Sequence, residues 1–192
     1  DFARARTLLT NPAFFGAGGV VRKPVVISGG VQSFQGAGST HVFFTGRTAT
    51  RRYSLREKNA LLNAVLGGMN IVFTSDDTSH DISSLFGVTL ENAGAEMSTA
   101  HVPDHIFFAG PFGRITQFRN AGVNQGRFIG WPKTALPLAS GSAGASMVYI
   151  PRAALGVSSG AVVFLAGVDN LTTVGRVLNQ SCSDPDIPVT DA

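Results

Sequence analysis

The 192-residue sequence predicts a single α/β domain with a mostly parallel central sheet over residues 1–180, followed by a C-terminal tail, 181–192. Three observations predict this. "THVFFTG" (40–46) and "MNIVFT" (69–74) are short, continuous apolar runs between turn residues, the pattern of strands buried on both faces. An amphipathic helix lies between them, and a strand, a helix and a strand in that order form a crossover whose natural product is a parallel pair. No internal repeat and no boundary interrupts the chain before the tail.

The elements follow in order. In residues 1–15, Leu8, Leu9, Phe14 and Phe15 supply apolar contacts, and Pro12 ends any helix near Leu9. "VVRKPVVIS" (20–28) reads as one or two short strands, with Pro24 favouring a sheet edge. A glycine-rich connection, "GGVQSFQGAGS", leads to the first buried strand. Ser54 and Glu57 then form a capping box, in which each side chain satisfies a free amide at the helix start. Leu55, Leu61, Leu62, Val65 and Leu66 place one apolar face on that helix. Gly67 and Gly68 stop it, because glycine accepts the left-handed conformation that helix ends favour. Residues 81–86 read as a short helix closed by Gly87. "VTL" and "HIFFAG" are further strands, "GRITQF" and "RFIGW" antiparallel or edge pieces, and "GASMVYIP" and "GAVVFLAG" the last two strong strands. "NLTTVGRVLNQ" reads as a terminal helix, and the proline-bearing tail has no core face.

Composition narrows the function. Hydrophobic residues make up 44 %, enough for a substantial core. Charged residues make up 14 %, against roughly 25 % in an average domain, so Ser, Thr, Asn, Gln, Gly and Ala cover the surface. That balance suggests an exported protein. Net charge is +3 with a pI of about 9.5, and Arg4, Arg6, Arg22, Lys23, Arg47, Arg51, Arg52 and Arg56 crowd the first third. These arginines are not interleaved with aromatics for base stacking, so a solvated basic face is expected and nucleic acid is not. Cys182 is the single cysteine, which excludes an internal disulfide and a multi-thiolate zinc site. No run of 18 apolar residues exists to span a membrane as a helix. The start at Asp1, without Met, suggests a processed or trimmed chain.

The order "HVFFTG", "SLREKNALLNAVLGG", "NIVFTSDD", "DISSLFGVTL", "HIFFAGPFGRI" and "GAVVFLAGVDNL" resembles the class I glutamine amidotransferase-like fold, a flavodoxin-like three-layer α/β sandwich. The likeness covers residues 20–180. It is nearest to non-catalytic, trehalose-utilisation-like domains and to domains of exported bacterial surface proteins. In catalytic members a cysteine nucleophile stands at a strand-to-helix elbow, served by a histidine and an acid. After "NIVFT" this chain instead has Ser75, Asp76 and Asp77, and Cys182 lies in the tail. The resemblance therefore implies the fold without the activity. Ser75 does not replace the cysteine, since "TSDDT" lacks the glycines of an exposed elbow and adjacent carboxylates oppose an alkoxide.

Other constellations carry weaker chemistry. Asp76, Asp77 and Asp81 sit among hydroxyls, and Asp169 and Asn170 follow the last strong strand. In a parallel sheet these approach one C-terminal edge, where hard oxygen ligands suit calcium or magnesium. The competing reading is that they cap helices and turn the chain. His101 and His105 have zinc-like spacing only on a helix, which Pro103 forbids, so they read as loop and strand-end residues. The glycine-rich stretches lack a phosphate-loop signature. Phe128 and Trp131, flanked by Asn and Gln, suit stacking on a sugar ring or contact with another chain.

The expectation is thus a non-catalytic domain at a bacterial cell surface or outside the cell, with no organic cofactor. It binds a glycan or a protein partner, with self-association one form of the latter, through Ser75, Asp76, Asp77, Asp169, Asn170, Phe128 and Trp131. The alternative is a metal-assisted hydrolase using carboxylates at the strand ends.

Overall fold

The capping box of Ser54 forms as its sequence dictates, and it opens a twelve-residue α-helix. The computed structural model describes residues 7, 9–22, 42–45, 53–75, 82–93, 96–111, 113–120 and 125–166. Glu57 N donates to Ser54 Oγ at 3.3 Å, and Ser54 N donates to Glu57 Oε2 at 2.9 Å. Such a cap contributes about 1 kcal/mol to the helix, α1 (Leu55–Leu66). Leu61, Ala64 and Val65 are its buried face, whereas Leu55 and Leu66 point outward. The helix ends at Gly67 with an ordinary φ of −81°. Gly68, at φ 111°, makes the left-handed reversal that delivers the chain to the next strand.

β1 (Val42–Thr45) and β2 (Asn70–Ser75), on either side of α1, are parallel, with Phe44 opposite Val72. β11 (Val162–Ala166) lies parallel on the other side of β2, with Val163 opposite Val72 and Ala166 opposite Ser75. Between β2 and β11 in sequence come a 3-10 turn (Ser83–Phe86) and eight further strands. The turn closes on Gly87 at φ 69°. These strands are β3 (Thr89–Ala93), β4 (Glu96–Ala100), β5 (Ala109–Gly110), β6 (Gly113–Arg114), β7 (Gln117–Asn120), β8 (Gln125–Gly130), β9 (Leu136–Gly141) and β10 (Gly144–Ile150).

The main sheet runs β1-β2-β11-β10-β9-β4-β7, with β8 pairing both β10 and β3, while β5 and β6 form a separate small hairpin. Two of its pairings are parallel, and six are antiparallel. The expected three-layer, mostly parallel, flavodoxin-like sandwich is therefore corrected to a mixed, mostly antiparallel sheet that carries the short helix α1. The crossover argument holds for β1, α1 and β2. It fails beyond them because the chain from Thr89 to Ile150 turns back on itself through hairpins instead of crossing over helices.

Each face of the sheet carries its own core. On one, α1, Tyr53, Ile82, Phe86 and Leu90 pack against Ile71, Phe73, Val148, Ile150, Phe164 and Phe128. On the other, Phe108, Ile115 and Phe118 pack against Leu138, Met147 and Val163. The cover on the second face is an irregular segment and a hairpin where a flavodoxin-like fold would place helices. Asn70 ties the start of β2 to the loop before β11: its Oδ1 accepts from Ala161 N at 2.9 Å and from Arg152 NH2 at 3.1 Å. Gly160 passes so close to the Met69 carbonyl that a Cβ there would collide with backbone. No helix among the described residues is long and apolar enough to cross a membrane.

Candidate functional site

Strand alternation and register decide which side chains share the second face. Val72, Val163, Tyr149 and Leu136 are cross-strand neighbours on β2, β11, β10 and β9, so they form one row across four strands. The segment after β4 folds over part of that row. "VPDH" is a turn sequence, with Pro setting the first corner and Asp favouring the next. His105 N donates to Val102 O at 2.8 Å, and Phe108 N and Ala109 N both donate to His105 O at 2.8 and 2.9 Å. Successive turns thus drive Phe108 into the core and leave its neighbours outside.

The result is an aromatic cluster at the surface. His105 stacks on Phe107 with ring centres 5.1 Å apart, and both meet Tyr149 in edge-to-face geometry at 5.5 and 5.1 Å. Ile106 beside them is 80 % exposed, Val102 and Leu136 47 % each, and Phe107 39 %. Val72, Tyr149 and Leu165 are half-buried against the second core, so the patch continues into the sheet. Scattered exposed apolar residues need no explanation, but aromatics and aliphatics gathered on one face mark a contact surface. Asp104 and Arg114 form an exposed ion pair across the same cover, a pairing of small energetic consequence.

A second contact nearby involves His101 and Ser140, whose Nε2 and Oγ atoms lie 2.7 Å apart. A hydroxyl on an imidazole is half of a nucleophilic pair. Ser140, however, sits within a strand, paired to both Thr99 and Ala145, and not at an exposed elbow. Asp104, the next acid in the chain, engages Arg114 instead of orienting the ring.

The most tightly bonded polar group is Glu96. Its Oε1 accepts from Arg127 Nε at 2.6 Å, and its Oε2 from Ser142 Oγ at 2.7 Å and Ala143 N at 3.1 Å. Burial alone would raise its pKa. The hydrogen bonds from Arg127, Ser142 and Ala143 and the attraction of the guanidinium outweigh that and hold it below the ordinary 4.5. These three bonds, with both oxygens engaged, clamp β4, β8 and the β9–β10 turn together, so Glu96 serves the scaffold.

The sequence-predicted residues are distributed differently. Ser75 is the last residue of β2, in register with Ala166 at the end of β11, so the two chain exits lie side by side. Asp76, Asp77, Asp81, Asp169, Asn170 and Cys182 lie outside the described residues. Phe128 is 0 % exposed, and its ring sits edge-on to Phe164 in the first core, with no face open to a sugar. Trp131 is half-buried against that same core. His101 and His105 do lie in a strand-end and loop segment, but "HIFF" forms turns where a strand was expected, with Ala109–Gly110 alone extended. Among the described residues, no group of three or more His, Cys, Asp or Glu side chains is placed to hold a metal ion. The exposed cluster was missed because "HIFF" reads as a buried run. The preceding "VPDH" turn was the signal against that.

No model of a known protein family matches the chain, and no curated protein does. Solved structures do. The chain is similar to the "mmIFT52 N-terminal domain" with a TM-score of 0.51 and 12 % identity, over 77 % of this chain and 78 % of that one. It is also similar to an "Exo-beta-1,4-mannosidase Op5Man5 from Opitutaceae bacterium strain TAV5" with a TM-score of 0.46 and 13 % identity, over 74 % of this chain and 24 % of that one. The first likeness concerns fold alone, and the second is too slight to carry an argument. The resemblance to the class I glutamine amidotransferase-like family is accordingly corrected, since neither a family match nor the sheet supports it.

Proposed function

We propose that this chain is a non-catalytic binding domain whose protein partner docks on the face built around Tyr149 and Phe107. The observation that carries this reading is the exposed cluster of His105, Ile106, Phe107 and Tyr149, continuous with Leu136 and the half-buried Val72 and Leu165. Aromatic anchors surrounded by aliphatics form the centre of protein interfaces, where a few such residues carry most of the affinity. A glycan would stack on open ring faces. Here the rings of His105, Phe107 and Tyr149 pack on one another in T-shaped and stacked contacts, which favours a protein.

The test is selection of random displayed peptides on the wild-type protein, with the Phe107→Ser, Tyr149→Ser double variant as counter-target. Peptides that bind the wild type at least ten-fold more tightly than a folded double variant support the reading; a hot-spot pair supplies about 2 kcal/mol or more. Peptides that bind both equally, or binding by a glycan array in their place, would overturn it.

A further inference from the structure

We infer that docking on the Tyr149 face is pH-dependent and that His105 is its switch: the partner is held while the imidazole is neutral and released as the ring takes up a proton. The inference rests on the binding reading above. His105 is half-buried within the face, stacked on Phe107 and in T-shaped contact with Tyr149.

One hydrogen bond ties the shape of the cluster to the neutral ring. Phe107 N donates to His105 Nδ1 at 3.4 Å. That nitrogen is therefore the bare one, and the neutral ring carries its proton on Nε2. The same residue's carbonyl accepts from Phe108 N and Ala109 N, so a single turn orients the ring and presents Phe107 beside it. An imidazolium has no acceptor. A proton on Nδ1 sets two N–H groups against each other, and the ring must turn off the Phe107 amide and out of its stack.

Histidine is the side chain that changes charge between about pH 5 and pH 8. The charged and titratable groups around this one do not duplicate it. From its own segment comes Asp104, which pairs with Arg114 of β6. From β10 comes Tyr149, and phenols titrate near pH 10. Val72, Leu136 and Leu165 on the neighbouring strands are uncharged. His101, the other histidine among the described residues, is engaged with Ser140 at 2.7 Å.

Two effects then have the same sign. A partner that covers the face with apolar side chains takes water from His105, and desolvation disfavours the charged ring. Protonation also loosens the stack on which the partner seats. The complex therefore binds fewer protons than the free protein, so affinity is full above the imidazole range and falls as pH drops through it. An ordinary imidazole is about nine-tenths neutral at pH 7.5 and about nine-tenths charged at pH 5.5. A partner that takes the neutral form alone thus binds about ten-fold more weakly at the lower pH.

The experiment titrates the full chain into fluorescent peptides, read by anisotropy at those two pH values. The peptides come from a displayed library built without His, Asp or Glu and with blocked termini, so the probe itself does not titrate. The wild type is expected to bind about ten-fold more weakly at the lower pH. His105→Phe, which keeps a ring and cannot titrate, binds equally at both. His105→Asn, which keeps an acceptor for the Phe107 amide, is a second neutral variant with the same flat response. His101→Gln keeps the response of the wild type, and thermal unfolding at both pH values confirms that each variant is folded. Equal wild-type binding at the two pH values, still lost in Phe107→Ser, overturns the switch and leaves the docking face standing. A pH response that persists in His105→Phe and His105→Asn overturns the switch as well. A library that yields no peptide sensitive to Phe107→Ser at the higher pH overturns the docking face and the switch with it.

Discussion

Glu96 and Arg127 meet across 31 residues of sequence as an ion pair of 2.6 Å, with the arginine side chain entirely out of solvent. A buried guanidinium is tolerable only with its partner in place, because a charge in the interior without compensation costs several kcal/mol. Glu96→Gln should therefore destabilise the fold by about 3–5 kcal/mol, measured by chemical denaturation at neutral pH. Glu96→Met with Arg127→Met should cost less than either single change. A double variant as damaged as the sum of the singles would contradict the ion-pair account.

The same pair fixes a pH dependence. The folded pKa of Glu96 is lowered, so its stabilisation is fully present above the unfolded carboxylate value of about 4.3 and is lost as pH falls through the folded value. The wild type should lose stability on acidification over that window. Glu96→Gln should show a shallower loss over the same window, and parallel curves would count against the assignment.

Gly141 leaves room for that carboxylate. A Cβ at this position would collide with the Glu96 carboxyl group, which cannot swing away without releasing Arg127, Ser142 and Ala143. Gly141→Ala should cost about 1–3 kcal/mol in the wild type and much less in a Glu96→Ala background. A cost unchanged between backgrounds would place the strain elsewhere.

The register of Ser75 with Ala166 sets the chain exits leading to Asp76 and Asp169 side by side, which keeps a metal-assisted reading testable. The binding account predicts no rise in melting temperature with calcium or magnesium. A rise abolished by Asp76→Ala and by Asp169→Ala would favour the hydrolase alternative.

How much of this was legible in the sequence follows from which residues do the packing. The Ser54–Glu57 cap and the Gly67–Gly68 stop stand out by their residue types, and the runs of β1, β2, β10 and β11 by their nearly unbroken apolar sequence. β4 and β9 do not. "EMSTA" buries Ser98 and Ala100, and "LPLASG" buries Leu138 and Ala139, so small side chains blur the two-residue period. Pro137 also argued against a strand. It flanks the register shift between Met147 and Val148, where the ladder is already broken. Missing those two strands hid the antiparallel half and invited the parallel sandwich. The site was hidden for the converse reason, since "HIFF" has the composition of a core strand and one of its two phenylalanines, Phe108, does reach the core.

The central claim is that the His105–Phe107–Tyr149 face is where a partner docks. Hydroxyl-radical footprinting of the full chain, with and without a saturating selected peptide, tests it most directly. The account predicts protection of Ile106, Phe107, Tyr149 and Leu136, with no change at Val157, which is 97 % exposed at the tip of the β10–β11 loop. Protection centred on Val157, or on Trp131 over the opposite core, with the aromatic face unchanged, would contradict it.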